Sequence, residues 1–412
     1  MREIILVQVG QCGVQLGKEF WQQLISEHSE TPDSVYFNSY TPRSVLVDLD
    51  SSPLDSLRAG PLGSVFDKES YVCANRTASN NWAKGYYTEG MEVIEDIMES
   101  LRKQAEHCES MQSFQLAHSL GGGTGSGLGT LIMSKVREEY PDKLLQTFSV
   151  FPSKKVSDIV VEPYNAVLAT HQLIENSDSV VSLDNQALFN ICHKRMQTVS
   201  YKNINQVASA VMSGLTCSFR FPSTLNNDLR KLSLNLIPFP RLHFLTTSYS
   251  PIACPKTHSL EELTSQLFTS PLCDFDSKYS QFLFAAGIFR GDFSPAEVES
   301  HVRSVADKYS ASFAEWIPHN MHTSVCKVAT EGKSATLIAN STGIKKVFER
   351  ISSQFRVMHA KKAYMHWYLQ EGMEELEFLE AEANLEEILG EYENVQLASE
   401  FNDCESSDED FI

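Results

Sequence analysis

Apolar and polar residues alternate in blocks along the first half of the chain. Several short apolar runs have the length of buried strands: ILVQVG at 5–10, SVLVDL at 44–49, FQLAHSL at 114–120, LQTFSVF at 145–151 and DSVVSLDN at 178–185. Between them, apolar residues recur at helical spacing, as in Val93, Ile94, Ile97, Met98 and Leu101. This alternation predicts an α/β fold, a doubly wound parallel sheet with helices on both faces.

Helical spacing returns in the last quarter of the chain. One apolar stripe consists of Ile344, Val347, Phe348, Ile351 and Phe355, with Ser341 as a candidate N-cap. A second stripe consists of Leu385, Ile388, Leu389 and Tyr392. The pattern therefore predicts two helices near the C-terminal end.

The negative charge of the chain is concentrated at the same end. The formal net charge is −19, and residues 371–412 hold 16 of the 53 acidic residues without a lysine or arginine. Such an end repels the phosphates of nucleic acids and favours basic protein partners. A tail that only keeps the protein in solution is the alternative.

Cysteine usage and hydropathy indicate a cytoplasmic protein. The nine cysteines are scattered without a CxxC pair, which is typical of reduced thiols. The N-terminal apolar run lacks the basic leader and cleavage site of a signal peptide. No stretch approaches the roughly 18 apolar residues of a membrane span, so we expect no membrane insertion.

A glycine-rich loop carries the clearest chemical signal. It runs from Gly121 to Gly127, after a strand-like segment and before a helical one. Glycine admits positive φ and lets backbone N–H groups approach an anion, while the following helix adds its positive dipole end. The loop predicts a phosphate cradle, with a flexible connector as the alternative. It lacks the Gly-Lys-Ser/Thr of a P-loop, and its spacing fails the dinucleotide fingerprint, which argues against a nicotinamide oxidoreductase.

Two further strand ends extend the candidate site. The segment Gly10–Gly13 follows the first strand and begins a helix, so it again offers backbone donors. Asp48 and Asp50 follow another strand, and residues two apart lie on one side of an extended backbone. Paired carboxylates beside a phosphate cradle suit Mg²⁺. A solvated pair of acids in a turn is the alternative.

The glycine loop, preceded by His118 and Ser119, resembles the signature loop of tubulins and their bacterial cell-division relatives. Other motifs of that family extend over nearly the whole chain: MREI and GQCG at the start, NNWAKG at 80–85, YTEG at 87–90, VVEPYNA at 160–166, SFRFP at 218–222, and then NDLRKL, PFPRLHF, AEWIP, NST and HWY. NDLRKL and PFPRLHF are similar to the β branch rather than the α or γ branch. The resemblance implies a GTP-binding subunit of microtubules.

The resemblance also implies which residues surround bound GTP or GDP. These are Gln11, Cys12, Ser119, Gly121, Gly122, Gly123, Thr124 and Gly125 at the phosphates, Asn80 at the γ-phosphate, Asp158 and Glu162 at the ribose, and Asn185, Tyr201 and Asn205 at the base. Mg²⁺ would face Asp48 and Asp50, the second of which stands where the family usually has glutamate. Two amides can read the mixed donor and acceptor edge of guanine, and an aromatic ring can stack on its face.

Asp228 and Lys231 carry a prediction about catalysis. They lie three residues apart at a predicted helix start, within a loop from Asn226 that, in the family, meets the nucleotide of the next subunit. An α-type chain has a glutamate at the position of Lys231, which helps water attack that nucleotide. A lysine stays protonated near neutral pH and cannot accept the proton. We therefore expect no catalytic residue in this chain and hydrolysis of its own GTP only beneath an α-type subunit; an ordinary surface ion pair is the alternative.

The family resemblance suggests how the chain is divided. We expect a guanine-nucleotide-binding domain at 1–205, with a core helix at about 203–219 at its end. A smaller α+β intermediate domain would follow at 206–340, then a C-terminal helical region at 341–398 and an acidic tail at 399–412. The two C-terminal helices would lie on the outer face of a filament, where motors and microtubule-associated proteins bind.

Three segments depart from the family pattern. The loops between Trp21 and Arg43 and between Pro251 and Leu263 are short, and in tubulins these loops supply the lateral contact between protofilaments. Longitudinal pairing with α-tubulin would then survive while lateral association is weakened or specialised. The segment Ala74–Ser79 is poorer in glycine than usual, so its backbone is expected to be stiffer or differently shaped.

Two other classes of function stay open. The protein could be a regulator that pairs with α-tubulin without entering a lattice, as the short loops suggest. It could instead be a self-sufficient nucleotide hydrolase, which Lys231 argues against. The main prediction is a cytoplasmic, cytoskeletal subunit that binds GTP or GDP with Mg²⁺ and does not bind nucleic acid.

Overall fold

The computed structural model describes residues 2–28, 34–153, 157–195, 200–224, 228–252, 259–269, 271–273, 280–314, 316–317, 319–327 and 332–406. The strands are β1 (Glu3–Val9), β2 (Phe37–Asn38), β3 (Thr41–Pro42), β4 (Ser44–Asp48), β5 (Tyr71–Cys73), β6 (Met111–Ser119), β7 (Leu144–Phe151), β8 (Ser179–Asp184), β9 (Phe244–Ser250), β10 (Phe282–Arg290), β11 (Met321–Cys326) and β12 (Ser334–Ser341). The helices are α1 (Gly10–Glu27), α2 (Ser51–Arg58), α3 (Glu89–Glu106), α4 (Gly129–Glu139), α5 (Glu162–Asn176), α6 (Asn185–Arg195), α7 (Tyr201–Arg220), α8 (Leu229–Leu236), α9 (Leu260–Thr269), α10 (Pro295–Lys308), α11 (Lys345–His359), α12 (Met365–Leu369) and α13 (Glu375–Ser406).

The described strands form one large sheet and one small hairpin. The large sheet has the order β11-β10-β12-β9-β8-β7-β6-β1-β4-β5, and β2 pairs with β3. From β5 to β9 every pairing is parallel, whereas β12 runs antiparallel to both β9 and β10. The five predicted strands correspond to β1, β4, β6, β7 and β8. The predicted doubly wound parallel sheet is thereby confirmed.

Both faces of the sheet are covered, as the continuous apolar runs require. Along β1, Ile5, Val7 and Val9 pack into a core with α3, α4, α5, α11 and α13. The alternate residues Ile4 and Leu6 pack into a second core with α1, α2, α6 and α7. Burying each large apolar side chain contributes roughly 1.5–3 kcal/mol, so both layers of helices hold the strand ends in place.

The sheet continues across the predicted boundary at residue 205. β8 pairs with β9 in parallel, with Val180 opposite Phe244. Helix α7, which includes the predicted core helix at 203–219, packs against α1, β9, β10 and β12. A third core lies among α9, α10 and strands β10 to β12. The limits of the individual domains stay predictions.

The two predicted C-terminal helices are present as α11 and α13, which pack on each other and on α5. The Ser341 hydroxyl accepts a hydrogen bond from the Gly343 N–H at 3.2 Å, so it caps a short 3₁₀ turn that leads into α11. The backbone of α13 continues to Ser406, and the remainder of the predicted acidic tail lies outside the described residues. In the described part of the chain, no helix is long and apolar enough to span a membrane.

Candidate functional site

A cavity of about 590 Å³ lies at the carboxyl ends of the parallel strands. Its walls are the segments that follow β1, β4, β5, β6, β7 and β8, together with the first turn of α7. In a doubly wound sheet these strand ends converge on one edge, which is where ligands bind. The fold thus brings segments that are far apart in sequence into one concave site.

Most of the predicted site residues line this cavity. They are Gln11, Cys12, Asp48, Asp50, Asn80, Ser119, Gly121, Gly122, Gly123, Thr124, Gly125, Glu162, Asn185, Tyr201 and Asn205. Asp158 is exposed and does not line it, although its neighbours Ser157 and Ile159 do. The binding role of each of these residues stays a prediction.

Several lining residues were not predicted from the sequence. They are Gln15, Pro53, Val150, Pro152, Ser157, Ile159 and Ile204. Gln15 lies one helical turn after Gln11 and shares its face, so helical spacing could have indicated it. Ile204 bears the same relation to Tyr201. The β7–α5 segment contains no glycine, but Ser157 and Ile159 flank the predicted Asp158, so the place of this segment after a strand could have indicated them.

The glycine residues allow backbone segments to touch. Gly10 has a φ of +73°, and a Cβ built on it would lie 3.0 Å from the backbone nitrogen of Gly125. A Cβ on Gly123 would lie 2.7 Å from the backbone nitrogen of Asn81. The first glycine segment, the glycine-rich loop and the β5–α3 segment therefore pack main chain against main chain, which leaves no room for side chains at these positions.

His118 holds the glycine-rich loop in place by a hydrogen bond. Its Nδ1 lies 2.8 Å from the Gly125 carbonyl, and its Nε2 lies 2.8 Å from the Ser149 hydroxyl. A carbonyl oxygen can only accept, so Nδ1 carries the proton and Nε2 accepts from Ser149. Burial lowers the pKa of His118 to about 4. The imidazole is therefore neutral at physiological pH and bridges the loop and β7 by two hydrogen bonds.

The loop of altered composition after β5 adopts left-handed backbone despite its lack of glycine. Asn75, Ser79 and Asn80 have φ values of 54°, 48° and 57°. Such conformations cost a residue other than glycine about 1–2 kcal/mol and persist only where surrounding contacts hold them. The predicted restriction of this backbone therefore does not prevent left-handed residues, because neighbouring contacts stabilise them.

The cavity suits an anion held by backbone rather than by basic side chains. Helix α1 begins at Gly10 on the cavity wall. Among the described residues, no side chain caps its N-terminus, and its first turn contains no acid. Its first N–H groups and positive dipole end are therefore available to a phosphate. No lysine or arginine is found among the described lining residues. A bound polyphosphate would need a cation to neutralise it.

Asp48 and Asp50 are placed to hold such a cation. Asp48 is buried; its Oδ1 accepts from the Asp50 N–H at 3.3 Å, while its Oδ2 has no hydrogen-bond partner among the described residues. Burial, with a smaller contribution from the Asp50 carboxylate, raises the pKa of Asp48 to about 7. A buried, unsatisfied carboxylate oxygen on a cavity wall fits a divalent cation held by one or two carboxylates, phosphate oxygens and water. No cluster of three or more His, Cys, Asp or Glu side chains suited to a metal occurs in the described residues.

Asp228 and Lys231 lie elsewhere. Asp228 immediately precedes α8, is buried, and forms ion pairs with Arg2 and with the exposed Lys231, whose Nζ is 3.9 Å from its carboxylate. Neither residue lines the cavity. Asn226, where the predicted loop begins, lies outside the described residues.

Comparison with known proteins identifies the family. Residues 3–193 match the Tubulin/FtsZ family GTPase domain, and residues 240–353 match the tubulin C-terminal domain. The chain is 47% identical over 434 aligned positions to the nucleomorph tubulin beta chain of Guillardia theta, with 98% of each protein covered. It is 46% identical over 431 positions to the tubulin beta-6 chain of Gossypium hirsutum, with 97% of this chain and 96% of that protein covered.

The GTPase-domain match includes every strand-end segment of the cavity and leaves only the α7 residues outside it. The two relatives are both β chains and extend the similarity over almost the whole length. The predicted resemblance is confirmed: the chain belongs to the tubulin family, as a divergent β-type member.

Proposed function

We propose that the cavity binds GTP or GDP with Mg²⁺ and that the chain is a microtubule subunit that pairs longitudinally with α-tubulin. One observation carries the nucleotide assignment. Glycine backbone and a helix N-terminus form the cavity wall beside two carboxylates, with no basic side chain among the described lining residues. This combination favours a polyphosphate that arrives with its own divalent cation.

Under this proposal the lining residues divide the nucleotide among them. Backbone N–H groups of Gly10–Cys12 and Gly121–Gly125 hold the phosphates, and Glu162 lies on the ribose side. Asn185 and Asn205 read the guanine edge, while Tyr201, a residue that is 61% exposed, stacks on the base. Mg²⁺, held by Asp48 and Asp50, neutralises phosphate charge when it is bound.

The same proposal separates nucleotide binding from hydrolysis. The described cavity wall offers the acids Asp48, Asp50 and Glu162. The first two are assigned to the metal and the third to the ribose, so none is assigned to activate water. An α-type subunit stacked over the cavity would supply the missing general base. Lys231 would meet a neighbour's nucleotide as a cation and leave it intact.

Partners and location follow from the relatives. Both are named tubulin beta chains, which supports α-tubulin as the longitudinal partner and cytoplasmic microtubules as the location. Helices α11 and α13 cover one side of the molecule, and the acidic residues of α13 suit basic surfaces of motors and associated proteins.

The experiment is a phosphate-release assay on the full chain with and without α-tubulin. Alone, the GTP-loaded chain should release phosphate no faster than a matched blank. Added α-tubulin should start release in step with assembly. Rapid release by the isolated chain would refute the shared-site mechanism and favour a self-sufficient hydrolase.

The alternative of a lattice-excluded regulator has one supporting observation. The alignment with the Guillardia theta protein has 434 positions, more than the 412 residues of this chain, so that relative carries segments that this chain lacks. The predicted short loops fall partly on residues 29–33 and 253–258, outside the described residues. Sedimentation with α-tubulin and GTP separates the functions: pelleted polymer supports a lattice subunit, and a soluble complex supports the regulator.

A further inference from the structure

A buried asparagine joins the β5–α3 segment to the glycine-rich loop at the proposed phosphate-binding part of the cavity. Asn165 lies on α5 and is fully buried. Its Nδ2 donates to the Asn80 carbonyl at 2.7 Å and to the Gly121 carbonyl at 2.9 Å. Because both of these partners can only accept, the orientation of the amide is determined by its contacts. The side chain therefore clamps the β5–α3 segment to the glycine-rich loop.

The other end of the amide is held from the C-terminal region. Asn165 Oδ1 accepts from the Trp82 N–H at 3.0 Å and from the Tyr368 hydroxyl at 2.6 Å. Tyr368 belongs to α12, and its side chain is buried against Tyr164 and Phe378. With two donated and two accepted hydrogen bonds, the hydrogen-bonding capacity of the amide is fully used. The tyrosine hydroxyl is the one of these four partners that comes from the C-terminal helices.

A second contact ties the same segment to α12. Asn81 Nδ2 donates to the Trp367 carbonyl at 3.0 Å, and its Oδ1 accepts from the Ala83 N–H at 3.0 Å. The two neighbours Ser79 and Asn80 both have positive φ. Two successive left-handed residues need external support. The contacts of Asn165 and Asn81 supply it.

The order of the strands gives this segment its place along a bound nucleotide. Asn185 follows β8, and Asn80 follows β5, the edge strand at the far end of the parallel part of the sheet. If Asn185 reads the base, the group farthest from the base reaches the end of the cavity where Asn80 lies. That group is the terminal phosphate, which a triphosphate has and a diphosphate lacks.

We propose that Tyr368, acting through Asn165, is a positioning residue that holds the Ser79–Asn81 segment in the geometry that distinguishes a nucleoside triphosphate from a diphosphate. The inference rests on the proposed nucleotide site and adds a determinant from outside the cavity. Tyr368 touches no nucleotide itself. Loss of its hydroxyl leaves Asn165 Oδ1 with one hydrogen bond instead of two, from the Trp82 N–H, and loosens the clamp on the Asn80 carbonyl.

The test compares Tyr368→Phe with Tyr164→Phe in the purified full chain. Tyr164 is buried in the same aromatic cluster, but its hydroxyl donates to the Ala363 carbonyl at 2.9 Å. Each variant therefore loses one hydroxyl hydrogen bond, and only the Tyr368 hydroxyl contacts the Asn165 side chain. Affinities for GTP and GDP are measured with Mg²⁺ present, together with the unfolding midpoint of each protein.

Tyr368→Phe should weaken GTP binding about three- to tenfold, the effect of one buried hydrogen bond, and leave GDP binding within about twofold. Tyr164→Phe should lower the unfolding midpoint similarly and leave the GTP-to-GDP affinity ratio of the parent. An unchanged ratio in Tyr368→Phe, or an equal change in both variants, would overturn the inference. A parent chain that binds neither nucleotide would overturn the proposed function itself, and the inference with it.

Asn81→Ser provides a second variant if Tyr368→Phe does not fold. The serine hydroxyl can still accept from the Ala83 N–H, while the donor to the Trp367 carbonyl is removed. The same selective loss of GTP affinity is expected. Equal loss of GTP and GDP affinity would assign these contacts to general stability and overturn the inference.

Discussion

Asp48 is a carboxylate whose burial costs stability unless a cation is bound. Its raised pKa, about 7, means that the folded protein binds a proton that the unfolded chain releases near pH 4. In the metal-free protein this group therefore stabilises the fold less as pH rises from about 4 to 7. The orphaned Oδ2 atom points to the same requirement for a positive partner.

We expect Asp48→Asn to stabilise the metal-free protein but to weaken nucleotide binding in the presence of Mg²⁺. Without metal or nucleotide, the variant should be more stable than the parent at pH 8 and similar at pH 4, because the amide never ionises. With Mg²⁺ and GTP, its nucleotide affinity should fall by about tenfold or more, since one charged ligand to the cation is lost. Denaturant unfolding and equilibrium binding measure the two effects. Unchanged Mg²⁺-dependent affinity would exclude Asp48 from the metal site.

Glu27 has the opposite electrostatic character. It is buried with Arg220 and Arg290, each 2.7 Å from one of its carboxylate oxygens. Burial alone would raise the pKa of Glu27, but these two guanidinium groups outweigh it and lower the pKa to about 2. The stabilisation is present above the unfolded pKa near 4.5 and is lost as pH falls towards 2. The cluster ties α1 to α7 and β10.

Glu27→Gln should reduce the free energy of unfolding by about 3–5 kcal/mol at pH 7, because two buried arginines lose their carboxylate partner. The difference from the parent should shrink below about pH 4, where protonation begins to remove the same charge. Denaturant unfolding across this pH range measures it. Glu95→Gln on the exposed face of α3 is the control and should change stability little. A pH-independent difference would contradict the ionic explanation.

At the scale of elements, close contact between the two glycine segments decides whether the cavity forms. Gly10→Ala should destabilise the protein by about 1–2 kcal/mol through its positive φ, with an added cost from the contact with the Gly125 nitrogen. Nucleotide affinity should fall with it. Gly390→Ala is the matched control, because Gly390 lies within α13 with nothing near its added Cβ. There alanine should stabilise by about 0.5–1 kcal/mol. Thermal unfolding and nucleotide titration compare the two, and equal stabilities would contradict the packing argument.

Periodicity explains why the elements themselves could be predicted. The strands before Gly10, Asp48, Gly121 and Asn185 were recognisable because buried parallel strands are continuously apolar and their ends converge. Asp158 shows the limit of that approach. It lies in a connecting segment, where no periodic pattern fixes the direction of a side chain, and it is exposed and does not line the cavity that its neighbours line.

The contacts of Asn165 could not be predicted from the sequence, for a different reason. Its partners Asn80, Gly121 and Tyr368 are 85, 44 and 203 residues away along the chain. An asparagine on a predicted helix carries no local signal for such contacts. The family motif contained Asn165 without indicating that its amide joins two loops.

At the scale of the whole molecule, one sheet and one shared helical layer connect the nucleotide end to the C-terminal region. Helices α11 and α13 pack on α5, which begins at the cavity wall with Glu162. Arg350 of α11 reaches the buried Asp184 beside Asn185, with contacts of 2.8 and 3.1 Å. The predicted nucleotide-binding domain therefore does not stand apart from the C-terminal helices.

Removal of the acidic end should separate partner binding from nucleotide binding. A chain cut after residue 397 loses six acidic residues and no lysine or arginine. Its affinity for basic partners should fall and depend less on salt, because long-range attraction is reduced. GTP affinity should stay within about twofold of the parent. Binding to a basic associated protein at several salt concentrations measures the effect, and an unchanged salt dependence would indicate a purely solubilising tail.

The most direct test of the account is equilibrium binding of GTP by the purified full chain, with Mg²⁺ present and after chelation, and with ATP as competitor. We expect saturable binding of one GTP per chain, weakened at least tenfold by chelation and displaced by GDP much better than by ATP. Absence of GTP binding with Mg²⁺ present, or binding that is indifferent to the metal and to the base, would contradict the account.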